Sequence, residues 1–266
     1  LGVEEYCYDR GYQVILCNAR EDPQVLRQYL DILLLKRVEG LVLVPTSDVT
    51  ADALDNLAAE VPTVVVDRRV PGVRRAVQVY SDNYRGAYEA TAHLLTLGHR
   101  RVALLVGAPE VSSYRDRVRG FIQAHTERGL VPDPKLILVG TPGVEAGARL
   151  AELAMAQSQP PTAFLTTNSL MTLGVVRFLQ NRGLRYPEDV SLVDFDDSPL
   201  VQFVTPPVTA VHQDPYRLGQ ESARALLELL SRPSGKLRNM EVVIPAPLID
   251  KGSTGPPPRQ EDNALH

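Results

Sequence analysis

Apolar positions recur along the chain with two periods. Short runs such as LVL at 41–43 and VALLV at 102–106 are apolar at every position, and longer segments between them return an apolar residue every three or four positions. Runs of the first kind read as strands buried on both faces, and segments of the second kind read as the helices that cover them. The first run is 13–17. Asp22 and Pro23 then supply a helix cap and a first-turn proline, opening a helix through Leu26, Leu30 and Leu33 to Leu35. Strands are expected at 40–44 and 62–66 with a helix at about 51–59 between them, then a brief strand at 76–80. Asp82 caps a helix whose Ala87, Ala90, Leu94 and Leu95 share one face and which stops at Gly98.

The alternation continues. Strands are predicted at 102–106, 136–139, 163–166, 190–193, 208–212 and 240–244, and helices at 113–128, 144–156 and 170–181, with a late helix marked by Ala223, Leu226, Leu227 and Leu230. About ten such strands exceed what one sheet of ordinary size holds, so the fold class is α/β with two doubly wound parallel sheets, helices on both faces of each. The proline-rich tail from Gly255 reads as disordered.

Composition narrows the function. The chain has 266 residues, 44% apolar and 23% charged, long enough for one large or two small domains. Its formal charge of -4 and its lack of any Lys/Arg run argue against a nucleic-acid footprint. No apolar stretch approaches the ~20 residues needed to span a bilayer, and no secretion signal opens the chain, so a cytoplasmic protein without a membrane partner is expected. Cys7 and Cys17 lack metal or redox spacing and read as reduced and buried.

In doubly wound sheets ligands sit beyond the carboxyl ends of the strands. Polar residues gather there: Asp67 and Arg68, Asp82 and Asn83, Asn168, and Asp196 with Asp197. Taken singly, Asp82 and Asn168 can be helix caps and Asp196 a turn residue; their repetition at equivalent strand ends is what points to a site.

The order of several motifs adds a family. VYSDN at 79–83, HLLTLGHRR at 93–101, RVRGF at 117–121, TAFLTTN at 162–168, PEDVS at 187–191, FDD at 195–197 and the segment 248–255 with Ser253 and Thr254 resemble, in order and spacing, the effector domains of the lactose-repressor (LacI/GalR) regulators. The resemblance implies a periplasmic-binding-protein-like pair of lobes, crossed three times by the chain, with a small effector in the cleft and a homodimer as the assembly. The implied divisions are 1–99 and 213–232 for the N-terminal subdomain, 100–212 and 233–255 for the C-terminal one, and 256–266 as tail.

Carried over residue by residue, the ligand-binding positions are Asp82, Arg117, Asn168 and Asp196, with Arg68, Arg115 and Tyr216 as neighbours. Carboxylates that accept from adjacent hydroxyls, a guanidinium fork and an amide suit a polyol ring. Two carboxylates facing arginines disfavour a strongly anionic ligand, so a neutral sugar or nucleoside is expected. The implied mechanism is a change in lobe angle that alters the spacing of two DNA-binding heads; DNA is a partner only through a helix-turn-helix head absent from this sequence. Two departures bear on the ligand. Ser169 stands where the family usually has an acid, and Asp194 where it usually has glycine. Asp194 could be an added polar contact or a strand residue facing solvent.

Other classes fare worse. Asp194, Asp196 and Asp197 could hold Mg²⁺, but no activated nucleophile or phosphate loop joins them, and the five histidines show no ligand spacing, so no catalytic residue, metal or cofactor is expected. A secreted sugar receptor of a transporter shares the fold, and the 94–101 and 187–191 motifs resemble the regulators more. Residues 1–11 read as the end of a helix stopped at Gly11, which a strand should precede; in the family that strand is central in the first sheet. The gene product is therefore expected to extend upstream, adding that strand, a hinge and the head, along with effector contacts from the first strand's loop.

Overall fold

The structure is a computed structural model that describes residues 1–231 and 240–258. The chain forms two compact units, Leu1–Asp82 with Asp214–Pro245, and Asn83–Gln213 with the chain from Ala246, so it passes between them three times. Among the described residues there are nine α-helices and ten strands, and no helix is long and apolar enough to cross a membrane.

Unit 1 is a four-stranded parallel sheet of β1 (Leu41–Leu43), β2 (Thr63–Val66), β3 (Val77–Ser81) and β9 (Glu241–Ile244), in that spatial order. One face packs Val64, Val77, Val79 and Ile244 under Leu218, Ala225 and Leu226 of α9 (Pro215–Ser231). The other packs Leu43, Val65 and Ala76 under Leu26 of α2 (Pro23–Leu35) and Leu54 of α3 (Ala51–Glu60). As the sequence requires, Asp22 caps α2 by accepting from the Gln24 amide at 2.8 Å, with Pro23 in the first turn. The opening helix α1 (Gly2–Tyr8) packs on α9.

Unit 2 is a six-stranded sheet in the order β10-β8-β7-β6-β4-β5. Its strands are β4 (Val102–Val106), β5 (Ile137–Val139), β6 (Ala163–Thr166), β7 (Ser191–Asp196), β8 (Thr209–His212) and β10 (Leu248–Ile249); all pairings are parallel except β10 on β8. Side chains alternate by the pleat. Leu104, Val106, Leu165 and Val193 face α4 (Asn83–Thr96) and α5 (Ser112–Thr126), while Ala103, Leu105, Phe164 and Leu192 face α6 (Val144–Met155) and α7 (Ser169–Asn181). The α4–α5 contact is close enough that a Cβ at Gly120 would lie 2.2 Å from the Tyr84 carbonyl oxygen, which is why the RVRGF motif carries glycine there.

Three expectations need correction. Residues 13–17 form no strand: Ile15 is 63% and Leu16 91% exposed, and β1, an edge strand of its sheet, pairs only with β2 among the described residues. Local apolar character cannot make a strand without a neighbour to take its amides and carbonyls. Cys7 is buried, and burial raises its thiol pKa, but Cys17 is only half-buried, on that unpaired run; both are free. The subdomain divisions also shift. Helix α4 belongs to unit 2, because its Ala87, Ala90 and Leu94 pack on α5 and the second sheet rather than the first. Strand β9 belongs to unit 1, where Val242 pairs with Val79 of β3. Of the expected 256–266 tail, residues 259–266 lie outside the described residues.

Candidate effector site

In unit 2 the connections leave β4 and β6 in opposite directions, since β4 pairs with β5 on one side and β6 on the other. That is a switch point, where a doubly wound sheet leaves a crevice at its carboxyl edge. The residues beyond β4, β6 and β7 converge there. Arg117, on the second turn of α5, is 4% exposed. Its Nε donates to Asn83 Oδ1 at 2.9 Å, and one terminal nitrogen donates to the Thr167 carbonyl just after β6 at 2.5 Å. The other lies 3.8 Å from Asp196 Oδ1. Beneath it, the guanidinium carbon sits 3.7 Å from the centre of the Phe195 ring, a cation–π contact made strong by burial.

Asp196 ends β7 at φ 144° and Asp197 follows at φ 55°, so the chain turns sharply in a conformation that side chains rarely adopt. The turn breaks the strand's alternation and carries Asp196 toward α5. The Asp196 carboxylate also accepts from the Gln213 side-chain amide, and Asp197 is held by Lys251 and, at 3.0 Å, by His212 Nδ1. Asn168 is the N-cap of α7: its Oδ1 accepts from the Leu170 amide at 3.0 Å. The same residue is therefore a cap and a neighbour of the Arg117 acceptor Thr167. Among the described residues, the Thr167 hydroxyl and the Gln213 amide oxygen are buried without a hydrogen-bond partner, an arrangement native interiors seldom leave unanswered.

Asp194 resolves the alternative left by its sequence. It is fully buried, not facing solvent, and accepts from Ser169 Oγ at 2.8 Å and Thr172 Oγ1 at 2.6 Å. Burial pushes its carboxyl up to about 6, and the nearby Asp196 charge pushes the same way against the hydroxyl bonds.

The remaining expected residues divide. Arg115 is exposed on the first turn of α5, and its neighbour Arg119 is exposed and bonded to Asp116 at 3.0 Å. In unit 1, Arg68 forms a bidentate pair with Glu21 at 2.6 and 2.7 Å and reaches the Pro45 carbonyl at 3.1 Å; this pairing holds the Glu21 carboxyl below its usual range. Asp82 follows β3, its amide bonded to the Ile244 carbonyl at 2.8 Å. The Tyr216 hydroxyl is engaged elsewhere, donating to Glu5 of α1 at 2.6 Å. A hollow of about 200 Å³ between α2 and α3 is lined by Leu26, Leu30, Leu54 and Leu57 with Arg27, Thr46, Asp48 and Thr50 at its polar side; it includes none of the expected ligand-binding residues, and Arg27 and Thr46 are both spent on Asp48.

Sequence reasoning placed Asn83 among the polar residues at strand ends without making it a ligand position, and passed over Thr167, Gln213 and Phe195. Thr167 and Phe195 stood inside quoted motifs as flanking letters; nothing in the pattern marked Gln213.

Residues 91–254 match the family model described as a periplasmic binding protein-like domain. An HTH-type transcriptional repressor PurR from Haemophilus influenzae (strain PittEE) is 37% identical over 232 residues, which are 86% of this chain and 68% of the repressor. The chain belongs to the LacI/GalR family of transcriptional regulators. Solved LacI-family regulators agree in fold: one from Mycobacterium smegmatis superposes with TM-score 0.83 at 26% identity, covering 96% of this chain and 93% of its own. Another, from Enterococcus faecium with bound ribose, gives 0.83 at 25% identity, over 96% and 92%. These residues are thus the effector-binding domain of a LacI/GalR regulator. The relatives are repressors rather than enzymes.

Proposed function

We propose that this LacI/GalR domain senses a small neutral metabolite, a sugar or a nucleoside, through Arg117, Asn168 and Asp196 of unit 2, with Arg115 at the margin. The observation that carries the reading is Arg117. Its charge is already answered by Asp196 and by the Phe195 face, and its donors by Asn83 and Thr167. An anion would have to displace those partners, whereas a hydroxyl-bearing ring can join them. The Thr167 hydroxyl and the Gln213 oxygen offer such a ring one further donor or acceptor and one acceptor. The ribose bound by the Enterococcus faecium relative has this chemistry.

In this reading the site binds and does not react, and the regulator works in the cytoplasm as a homodimer. DNA is reached through a helix-turn-helix part rather than through these residues, whose formal charge is -4. Tyr216 serves the α1–α9 contact. A thermal-shift panel of neutral sugars, including D-ribose, and of nucleosides tests the proposal. A ligand at 100 times its dissociation constant should add ~2.7 kcal/mol of stability. If sugar phosphates or dicarboxylates stabilise the chain and no neutral compound does, the neutral-effector reading is wrong.

A further inference from the structure

The Asp194 carboxylate occupies a place that the effector chemistry alone does not explain. It lies on the α7 face of the second sheet, between Thr166 of β6 and Ala210 of β8, and reaches no solvent. Ser169 and Thr172 donate to it from the first turn of α7. Asp194 itself stands on β7, two residues before Asp196 and the turn that ends the strand, and the Asp197 backbone amide favours its charged form. One carboxyl group therefore joins two segments that no other side chain links in this way among the described bonds. The first segment begins at Asn168, whose Oδ1 caps α7. The second carries Asp196 and Asp197 at positive φ.

We propose that Asp194 is a positioning residue: by tying the first turn of α7 to the Asp196–Asp197 turn, it fixes Asn168 and Asp196 relative to each other for effector binding. The proposal rests on the reading of those two residues as effector contacts. The Ser169 and Thr172 hydroxyls donate to the ionised carboxylate, one to each oxygen. Protonation removes the charge that strengthens both bonds and turns one oxygen into a donor, so the bond to that oxygen is weakened or reversed. The tie is then weakened without any change in the strand itself.

The surroundings decide which group responds to pH. β6 and α7 bring Thr166, Ser169 and Thr172 to Asp194, none of them titratable, and β8 presents Ala210 across the ladder. The charge that bears on it is that of Asp196, itself faced by Arg117 and Gln213. Asp197, next along, is answered by Lys251 and His212. With its carboxyl pushed up to about 6, Asp194 changes state in a range where ordinary exposed carboxylates do not. The tie is complete above that range and loosens below it.

Amide NMR of the full chain between pH 7.5 and 5 tests this without knowing the effector. In the wild type, the Asp197 amide, in the turn that follows Asp194 on β7, and the Leu170 amide, bonded to Asn168, should move together with a midpoint near that of Asp194. In Asp194→Asn both movements should vanish. Ser169→Ala, a gentler change that removes one donor to the ionised form, should displace the shared midpoint upward. D-ribose affinity, measured in parallel, should fall several-fold in the wild type between pH 7.5 and 5.5 and show no such fall in Asp194→Asn. Amides that do not move together, or that titrate unchanged in Asp194→Asn and Ser169→Ala, overturn the positioning role. Failure of the wild-type chain to bind D-ribose at either pH counts against ribose as the effector, and leaves the amide result to decide the role of Asp194.

Discussion

The guanidinium of Arg117 lies on the face of Phe195, 3.7 Å from the ring centre, and both are buried. The pair joins α5 to β7, the element that ends in Asp196. An arginine introduced for ligand contact alone would be expected at the surface; this one is part of the core of unit 2.

Its removal should therefore cost stability as well as binding. Arg117→Met keeps the length of the side chain and loses the charge together with the donors to Asn83 Oδ1 and the Thr167 carbonyl, at about 1–3 kcal/mol for the buried carbonyl that loses its guanidinium. Thermal unfolding of the variant should begin several degrees lower. An unchanged melting temperature would show that the two acceptors find other donors.

At Gly120 the expected effect is steric. A Cβ there would meet the Tyr84 carbonyl oxygen at 2.2 Å and the Tyr88 amide nitrogen at 2.9 Å, both backbone atoms that cannot rotate away. Gly120→Ala should force α4 and α5 apart at a cost of about 1–3 kcal/mol, read as a lower urea midpoint, despite the better helix propensity of alanine.

Two buried groups give unit 2 opposing dependences on pH. His99 is held among Thr162 Oγ1 at 2.7 Å, Ser191 Oγ at 2.9 Å and the Gly255 carbonyl at 2.9 Å, and burial pulls its pKa below 6.5 despite the carbonyl bond. The unfolded chain takes up that proton first, so the His99 contribution is whole above pH 6.5 and is lost as the pH falls. The stability advantage of wild type over His99→Asn should shrink between pH 7.5 and 5.

Asp194 runs the other way. Its carboxyl is raised from 3.8 to about 6, so the folded chain binds the proton more readily and stability from this group rises as the pH falls through 6. The shift is worth about 3 kcal/mol. Urea midpoints of Asp194→Asn should gain on the wild type at pH 7.5 and lose that gain by pH 5. Parallel curves for wild type and either variant would remove that group from the account.

Much of this arrangement was legible in the sequence. The strand and helix pattern from Leu41 onward is reproduced within a few residues, because buried runs bounded by caps such as Asp22 and Asn168 leave little choice locally. The run at 13–17 misled because strandedness is settled by a partner, and the pairing of β9 with β3 could not be read because it spans some 160 residues of chain. The structure carries Arg117, Asn168 and Asp196 to one edge of the second sheet. Asp194 was visible as a departure and as one of three clustered carboxylates; its meaning depended on Ser169 and Thr172 lying one helical turn apart on α7, above the same strand.

The most direct test of the central claim is calorimetric titration of the compound that most stabilises the full chain into wild type and Asp196→Asn. Asparagine keeps the shape of the side chain. It removes the carboxylate that faces Arg117. A lost hydrogen bond to a charged group of about 1.5–3 kcal/mol corresponds to a loss of affinity of roughly ten- to a hundredfold. That loss, in a variant that still unfolds cooperatively, is the predicted result. Equal affinity in the two proteins would contradict the assignment of the effector to this edge of the second sheet.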